Sequence, residues 1–398
     1  MKPQIKFDIL LLLSVVLLVV IGTAMIYSAS SFKAEEQFGD SNYFLKKQLL
    51  RLFIGLVLMI IFFHIDYHDL QKLSWVLLIF SILLLIYVLF NGLKINGSRR
   101  SFEIMNFVFQ PSELAKYVLI IFLSYFISIK GKRIREFNNG LFPALLVIAV
   151  ILMPILLEPD LGTAIIILTI AGILLFVGGS NLYHLSAISI FSVGAIAFVL
   201  ANFNYQRARL IAFIDTVRGE IDPPWQVLQS LICFANGGLW GLGLGNSRQK
   251  LHFLPQPFTD FIFSIISEEA GFIGGTIVLF LFLVIMWRGI WIALNAPDKQ
   301  GMLLAVGITS SITIYAFTSA AIAVNLLPIT GIPMPFISYG GSSLVMNLIA
   351  IGILLNISTQ TKRKKRVEQI ISQSKSRKTV KSKYKARKYP RRKIVRRH

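Results

Sequence analysis

The sequence predicts an all-α, polytopic membrane protein with about ten transmembrane helices. Three observations carry this prediction. Long, nearly uncharged apolar runs recur from one end of the chain to the other, and a run of about 18 or more such residues is long enough to cross a bilayer. Of the 398 residues 55% are hydrophobic, and the mean hydropathy is +0.70. The basic residues gather in a few short loops and in the C-terminal tail, the pattern that orients membrane proteins.

The first run starts near Asp8 and continues to about Tyr27. It is too long for the apolar core of a cleaved signal peptide, so it is read as the first span. The ten expected spans are 8–28, 48–65, 73–90, 112–129, 141–157, 161–179, 184–201, 262–287, 301–325 and 339–357. Lys130, Lys132, Arg133 and Arg135 mark the loop after the fourth span as cytoplasmic. With ten spans, both termini fall on that side. The opposite, outer side then receives 29–47, 91–111, the tight link 158–161, the long segment 202–261, and 326–338. Residues 1–357 form the membrane domain and 358–398 a basic tail.

The net charge of +21 is mostly a property of that tail, which holds 18 Lys and Arg residues against one acid, Glu368. The rest of the chain carries 22 basic and 18 acidic residues. Such a run is expected to be solvated and disordered. Anionic lipid headgroups are its nearest partner. No nucleic acid is expected, since no folded or aromatic-interleaved module accompanies the charge. A single cysteine, Cys233, excludes an intramolecular disulfide.

Four polar constellations fall on the expected outer face. The first runs from Lys94 to Ser101 and continues as Gln110-Pro-Ser-Glu-Leu-Ala-Lys116. Pro111 suits the first turn of a helix, and Glu113 complements its N-terminus. Lys116 lies one turn inside an apolar helix, at i+3 from Glu113, so the two can pair. An ionisable residue within a span is a functional candidate, although a lysine there can also reach back to the interface.

The second is Glu158-Pro-Asp-Leu-Gly-Thr163, where either Asp160 caps the next helix or the two carboxylates, Glu158 and Asp160, contact a sugar or cation. The third is 202–261. It opens with Arg207-Ala-Arg209, carries an apolar stripe at helical spacing over 225–235, and leads into a glycine-rich stretch, Gly237 to Lys250. The stripe is too short to span, so an interfacial or re-entrant helix is expected. The glycine-rich stretch is either a flexible connector or an anion-binding concavity of backbone amides to which Arg248 and Lys250 add charge.

This segment closes on Thr259 and Asp260, flanked by Phe258, Phe261 and Phe263, with Glu268 and Glu269 following. An aspartate against aromatic groups at a bilayer boundary is partly desolvated, which raises its pKa and strengthens it as a proton acceptor. The fourth constellation, Leu327 to Ser343, is a proline- and glycine-rich loop. The five histidines show no metal-ligand spacing, and the common hydrolase, zinc and nucleotide motifs are missing from the sequence.

Together these motifs resemble the SEDS membrane proteins, the FtsW/RodA/SpoVE group, from the first span to about Ile357. The matching stretches are Asn96-Gly-Ser-Arg-Arg100, Gln110 to Lys116, Glu158 to Thr163, Gly243 to Lys250, Leu254-Pro255, Thr259 to Phe263, Glu268-Glu269 and Ile337 to Ser343. The loop containing Arg248 looks like the septal branch, FtsW, and Ile329 to Pro333 resembles both branches. Two positions depart from the family pattern. Gln256-Pro-Phe258 stands where Glu-Ala-His is common, and Ser101 stands where a tryptophan is usual.

The resemblance implies a glycosyltransferase that polymerises lipid II on the outer face of the cytoplasmic membrane, for septal synthesis, with a class B penicillin-binding protein and division proteins as partners. It implies Asp260 as the catalytic residue. Substrate contacts are expected from Arg100, Glu113, Lys116, Asp160, Arg248, Lys250 and Thr259. No tightly bound cofactor is expected; a divalent cation, Mg2+ or Mn2+, is an alternative to the basic residues for neutralising the leaving diphosphate. The competing readings are an elongation polymerase of the RodA type, a lipid II transporter, and a scaffold without activity.

Overall fold

The computed structural model describes residues 7–95, 98–104, 107–202, 204–251 and 253–361. The tail beyond 361, and Asn96, Gly97 and His252 of the segments discussed above, lie outside these residues. Among the described residues the α-helices are α1 (Ile9–Phe38), α2 (Tyr43–His64), α3 (Tyr67–Lys72), α4 (Ser74–Asn91), α5 (Pro111–Lys130), α6 (Phe142–Leu157), α7 (Leu161–Gly178), α8 (Leu182–Asn202), α9 (Asn204–Arg218), α10 (Trp225–Gly237), α11 (Ile262–Leu294), α12 (Lys299–Ala323) and α13 (Gly341–Thr361).

Each of the ten expected segments falls on a helix. Among the described residues, seven helices are long and apolar enough to cross a membrane: α1, α4, α5, α6, α11, α12 and α13. Two stretches, Leu161–Val177 and Leu182–Gly194, are shorter apolar helices. The chain is a multi-pass membrane protein. Many large apolar side chains stay exposed along α1, α2, α4 and α11, as expected where the surrounding medium is hydrocarbon.

Contacts between loops sort the bundle into two ends. At one end Arg288 of α11 pairs with Asp8, the N-cap of α1. There Asn356 donates to the Phe63 carbonyl at 2.8 Å, and Tyr67 donates to Asp298 at 2.6 Å. At the other end the Gln110 amide meets Ser342 Oγ at 2.9 Å, the Tyr339 amide meets the Phe258 carbonyl at 2.8 Å, and Ser28 donates to Glu269 at 2.6 Å. All four polar constellations converge on this second end, here termed the site end.

Two features depart from the sequence reading. Segment 93–109, expected as a loop, folds into an antiparallel sheet of β1 (Leu93–Ile95), β2 (Ser98–Ile104) and β3 (Phe107–Phe109), with Lys94 opposite Arg99 and Glu103 opposite Val108. Alternating Phe102, Phe107 and Phe109 favour strands, and Phe102 packs edge-on against Tyr87 at the end of α4. The long segment after α8 continues as a further helix, α9. The helix expected over 225–235, interfacial or re-entrant, is present as α10 and packs on the bundle: Val227, Ser230 and Cys233 are buried, and Ser230 bonds both Ser264 Oγ at 2.6 Å and the Ala323 carbonyl at 2.5 Å.

Candidate active site

Asp260 ends an irregular segment that is pinned on both sides. Phe258 and Phe261 are buried, and the carbonyl of Phe258 accepts from the Tyr339 amide. Gln256 takes a positive φ of 55° and receives the Thr259 hydroxyl on its side chain at 2.9 Å. These anchors present the Asp260 carboxyl to the loop before α13. A Cβ at Gly331 would lie 3.4 Å from Asp260 Oδ2, and Gly331 itself has φ of +72°. A glycine there allows the backbone both the turn and the close approach.

Burial lifts the pKa of Asp260 to about 6. The Thr259 hydroxyl and the positive charges of Arg209 and Arg100 act against this rise, and the nearby charge of Asp160 adds to it. The partial desolvation inferred from the flanking phenylalanines is therefore present, together with a balance of like and unlike charges that local sequence does not reveal.

Arg100, on β2, reaches over the α6–α7 link. Its guanidinium donates to the carbonyls of Pro159 at 2.7 Å and Glu158 at 3.3 Å and lies 3.8 Å from Asp160 Oδ2. Asp160 is buried and accepts from the Thr163 amide at 3.2 Å as the N-cap of α7. Capping and a place beside Asp260 are thus both true of Asp160.

Two neighbours were not among the expected site residues. Arg209 of α9 donates to the Ile329 carbonyl at 3.2 Å and contributes charge to Asp260. Arg207, two residues earlier, is exposed; only a helix through this segment distinguishes them. Glu158 is 1% exposed, and neither carboxyl oxygen has a hydrogen-bond partner among the described residues. Burial and the charge of Asp160 push its pKa up to about 9, against a smaller opposing effect of Arg100. It is a neutral acid at pH 7.

The remaining expected residues divide. Glu113 and Lys116 pair as their spacing implies, at 2.9 Å, and both are buried. The Lys116 ammonium also sits 3.8 Å from the centre of the Tyr315 ring. No hydrogen bond or ion pair among the described residues joins this pair to Asp260. The glycine-rich loop does form an anion concavity, but its anions are internal. The amides of Gly245 and Ser247 bond Glu269 at 2.9 and 3.3 Å. Those of Arg248 and Gln249 bond Glu268 at 3.3 and 3.4 Å, and the Ser247 hydroxyl also donates to Glu268. Lys250 is held by Glu269 at 3.0 Å, the Gly245 carbonyl at 2.6 Å and Ser28 at 3.1 Å. The Arg248 residue is exposed.

Among the described residues no three His, Cys, Asp or Glu side chains gather into a metal-binding group. An apolar cavity of about 900 Å³ opens between α6, α7 and α8, lined by Leu152, Leu156, Leu161 and Ala164 among others. It begins at Leu161, adjacent in sequence to Asp160.

Known proteins are similar to this chain over most of its length. Stage V sporulation protein E of Bacillus subtilis is 41% identical over 353 residues, covering 88% of this chain and 96% of that protein. The protein named probable peptidoglycan glycosyltransferase FtsW of Geobacter sp. (strain M18) is 37% identical over 356 residues, covering 89% and 97%. The crystal structure of Thermus thermophilus rod shape determining protein RodA superposes with a TM-score of 0.67 at 26% identity, covering 89% of this chain and 97% of that one. A chain of a peptidoglycan synthase complex superposes with a TM-score of 0.72 at 27% identity, covering 89% and 98%. The family model described as cell cycle protein, FtsW/RodA/SpoVE, matches residues 8–363, so the pinned aspartate, its arginines and the helical bundle around them belong to a member of that family.

Proposed function

We infer that this protein is a peptidoglycan glycosyltransferase that polymerises lipid II at the outer face of the cytoplasmic membrane. The observation that carries this reading is Asp260. It is a partly desolvated carboxyl with a pKa of about 6, flanked by Arg100 and Arg209, at the end of the bundle where all four polar segments meet. The reaction follows from its chemistry. Asp260 takes the proton of the acceptor sugar 4-hydroxyl. The oxygen attacks the anomeric carbon of the donor, and the bond to the lipid diphosphate breaks with inversion. A diphosphate leaves without a general acid, in contrast to glycoside hydrolysis with its two carboxyl groups.

Developing charge on the leaving group needs preorganised positive groups, which Arg100 and Arg209 supply. A divalent cation would have to be held by Asp160 and Asp260 with the substrate's own phosphates, the usual manner for Mg2+. The apolar cavity beside Asp160 matches a lipid-tailed substrate. The site end then faces outward and both termini lie in the cytoplasm. A class B penicillin-binding protein is the expected partner, and septal synthesis the expected role, with RodA-type elongation as the alternative.

A positioned base supplies roughly 10²–10⁴ in rate. Asp260→Asn is therefore expected to lose at least two orders of magnitude in glycan polymerisation from labelled lipid II, while the purified protein keeps its monodisperse profile. Parent-level polymerisation by Asp260→Asn would remove the assignment, and leaflet exchange of lipid II without polymerisation by the parent would favour a transporter.

A further inference from the structure

The end of the bundle opposite Asp260 also gathers basic groups, and there they meet open apolar space. Arg135, in the turn after α5, donates through Nε to the Gly179 carbonyl at 3.3 Å. Lys299, the first residue of α12, donates to the Gly178 carbonyl at 3.0 Å. Three elements thus converge on the link between α7 and α8. Neither cation makes an ion pair among the described residues. Lys132 and Arg133 of the same turn are exposed, and the nearby Glu136 carboxylate accepts from the Asn139 side chain at 3.0 Å.

Capping explains the two carbonyl contacts, since cations suit a helix C-terminus. It does not use up the charge. The C-terminus of α7 offers about half a negative charge, against two full positive ones. The N-terminus of α8, at Leu182, follows at once and adds a partial positive charge of its own. Within the link Ser180 is 7% exposed, and its hydroxyl has no hydrogen-bond partner among the described residues. A buried hydroxyl is costly to leave unbonded.

Two clefts reach this link on different faces of α8. The cavity of about 900 Å³ that begins beside Asp160 arrives here at Phe137, Phe142 and His184. A second, of about 460 Å³, lies between α7 and α8 and is lined by Phe176, Leu182, Tyr183 and Ser186. The Tyr183 ring is 76% exposed, as suits an aromatic group at the level of lipid headgroups.

We propose that the α7–α8 link binds one anionic diacyl phospholipid of the leaflet at this end. Arg135, Lys299 and the Ser180 hydroxyl take the phosphate, and each cleft takes one acyl chain. The proposal goes beyond the polymerase reading and does not rest on it. Two clefts suit a lipid with two chains better than a polyprenyl phosphate, which has one. With the basic turn held in the cytoplasm, this is the leaflet rich in anionic lipid, whose headgroups basic pockets between spanning helices bind.

The test is native mass spectrometry of the full-length protein in detergent. It is titrated with phosphatidylglycerol, phosphatidylcholine, undecaprenyl phosphate and glycerol 3-phosphate. Salt at about 0.3 M weakens diffuse attraction between lipid and the basic tail. One phosphatidylglycerol is expected to be retained in preference to phosphatidylcholine. Arg135→Gln/Lys299→Gln is expected to weaken it about tenfold or more, the loss of two charge-assisted contacts. The charge-matched Lys46→Gln/Lys47→Gln, at the site end, is expected to leave it unchanged. Ala187→Trp, which fills the larger cleft one turn from His184, is expected to weaken it as well. Equal retention of phosphatidylcholine overturns the proposal, as does unchanged affinity in the folded Arg135→Gln/Lys299→Gln variant. Equal displacement by glycerol 3-phosphate would make this a site for free phosphate, and tighter binding of undecaprenyl phosphate a site for the lipid carrier; either result overturns it too. Should the double variant fail to fold, Arg135→Gln and Ala187→Trp, both at exposed positions, decide by the same measurement, and parent affinity in both overturns it. Glycan synthesis is no part of the readout, so a failure of the polymerase reading leaves this result standing.

Discussion

A base is useful only when it is deprotonated, so with Asp260 as the proposed base its raised pKa is expected to set an acid limit on activity. With the folded value at about 6, kcat/KM is expected to fall as pH drops through about 6, rather than near 4 as for an ordinary carboxylate. Arg209 holds that value down. Arg209→Gln is therefore expected to move the acid limb to higher pH, visible in a pH–rate profile of lipid II polymerisation; an unmoved limb would detach Arg209 from the base. Glu158 carries the opposite consequence, for stability. It stays protonated in the fold up to about pH 9, whereas the unfolded chain ionises near 4.5. The folded state binds the extra proton between these values, so stability falls as pH rises through this window. Glu158→Gln removes the titration. Thermal unfolding at pH 7 and 8.5, where Asp260 is already ionised, is expected to differ less in the variant than in the parent. Asp260, Asp160 and Arg100 could be singled out from residue type, flanking aromatics and motif. Arg209 could not, because its significance lies in partners distant in sequence, and the burial of Glu158 was equally invisible although its carboxylate stood in the motif.

At the scale of elements, the glycine-rich loop acts as a clasp that fixes the start of α11 and hence the segment bearing Asp260. Its amides and Lys250 close on Glu268 and Glu269, while Gly241 and Gly271 let two backbones touch where any Cβ would strike a main-chain atom. Gly241 has φ of +82° and Gly245 φ of +83°, but only Gly241 faces backbone; nothing lies within 4 Å of a Cβ at Gly245. Gly241→Ala thus combines conformational strain with a collision, whereas Gly245→Ala has strain alone, about 1–2 kcal/mol. Gly241→Ala is expected to lower the unfolding temperature clearly more than Gly245→Ala in matched detergent, and equal shifts would show that the clasp gives way freely. Helices of this bundle were legible because long apolar runs leave the backbone no other way to satisfy its hydrogen bonds in a membrane. The strands at 93–109 and the helix α9 were not. Strands this short are set by where Phe102 and Phe109 can pack, and α9 has no long apolar run to announce it. The loop's capacity for anions was readable from its glycines; that Glu268 and Glu269 would fill it depends on a fold-back of about twenty residues that local pattern does not encode.

For the molecule as a whole, the placement of contacts at two ends gives the orientation a direct test. The link Arg218 to Asp222 leads into α10 near the site end, with Glu220 exposed, whereas Lys132 lies in the basic loop after α5 and is also exposed. Cys233 is the chain's single cysteine and is buried, its thiol pKa pushed up chiefly by burial. A buried, protonated thiol reacts slowly, so the native protein supplies a quiet background, and Cys233→Ala makes it silent. On that background Glu220→Cys is expected to be labelled in intact cells by a membrane-impermeant maleimide, and Lys132→Cys only after the membrane is opened. The positive-inside pattern and the chemistry agree on this outcome for independent reasons. Basic residues at 130–135 hold their loop in the cytoplasm, and polymerisation of a wall that lies outside the membrane needs Asp260 on the outer side. Labelling of Lys132→Cys but not Glu220→Cys in intact cells would invert the protein. It would leave Asp260 and its two arginines facing a compartment in which no glycan strand is laid down, and the polymerase reading would fall with the orientation.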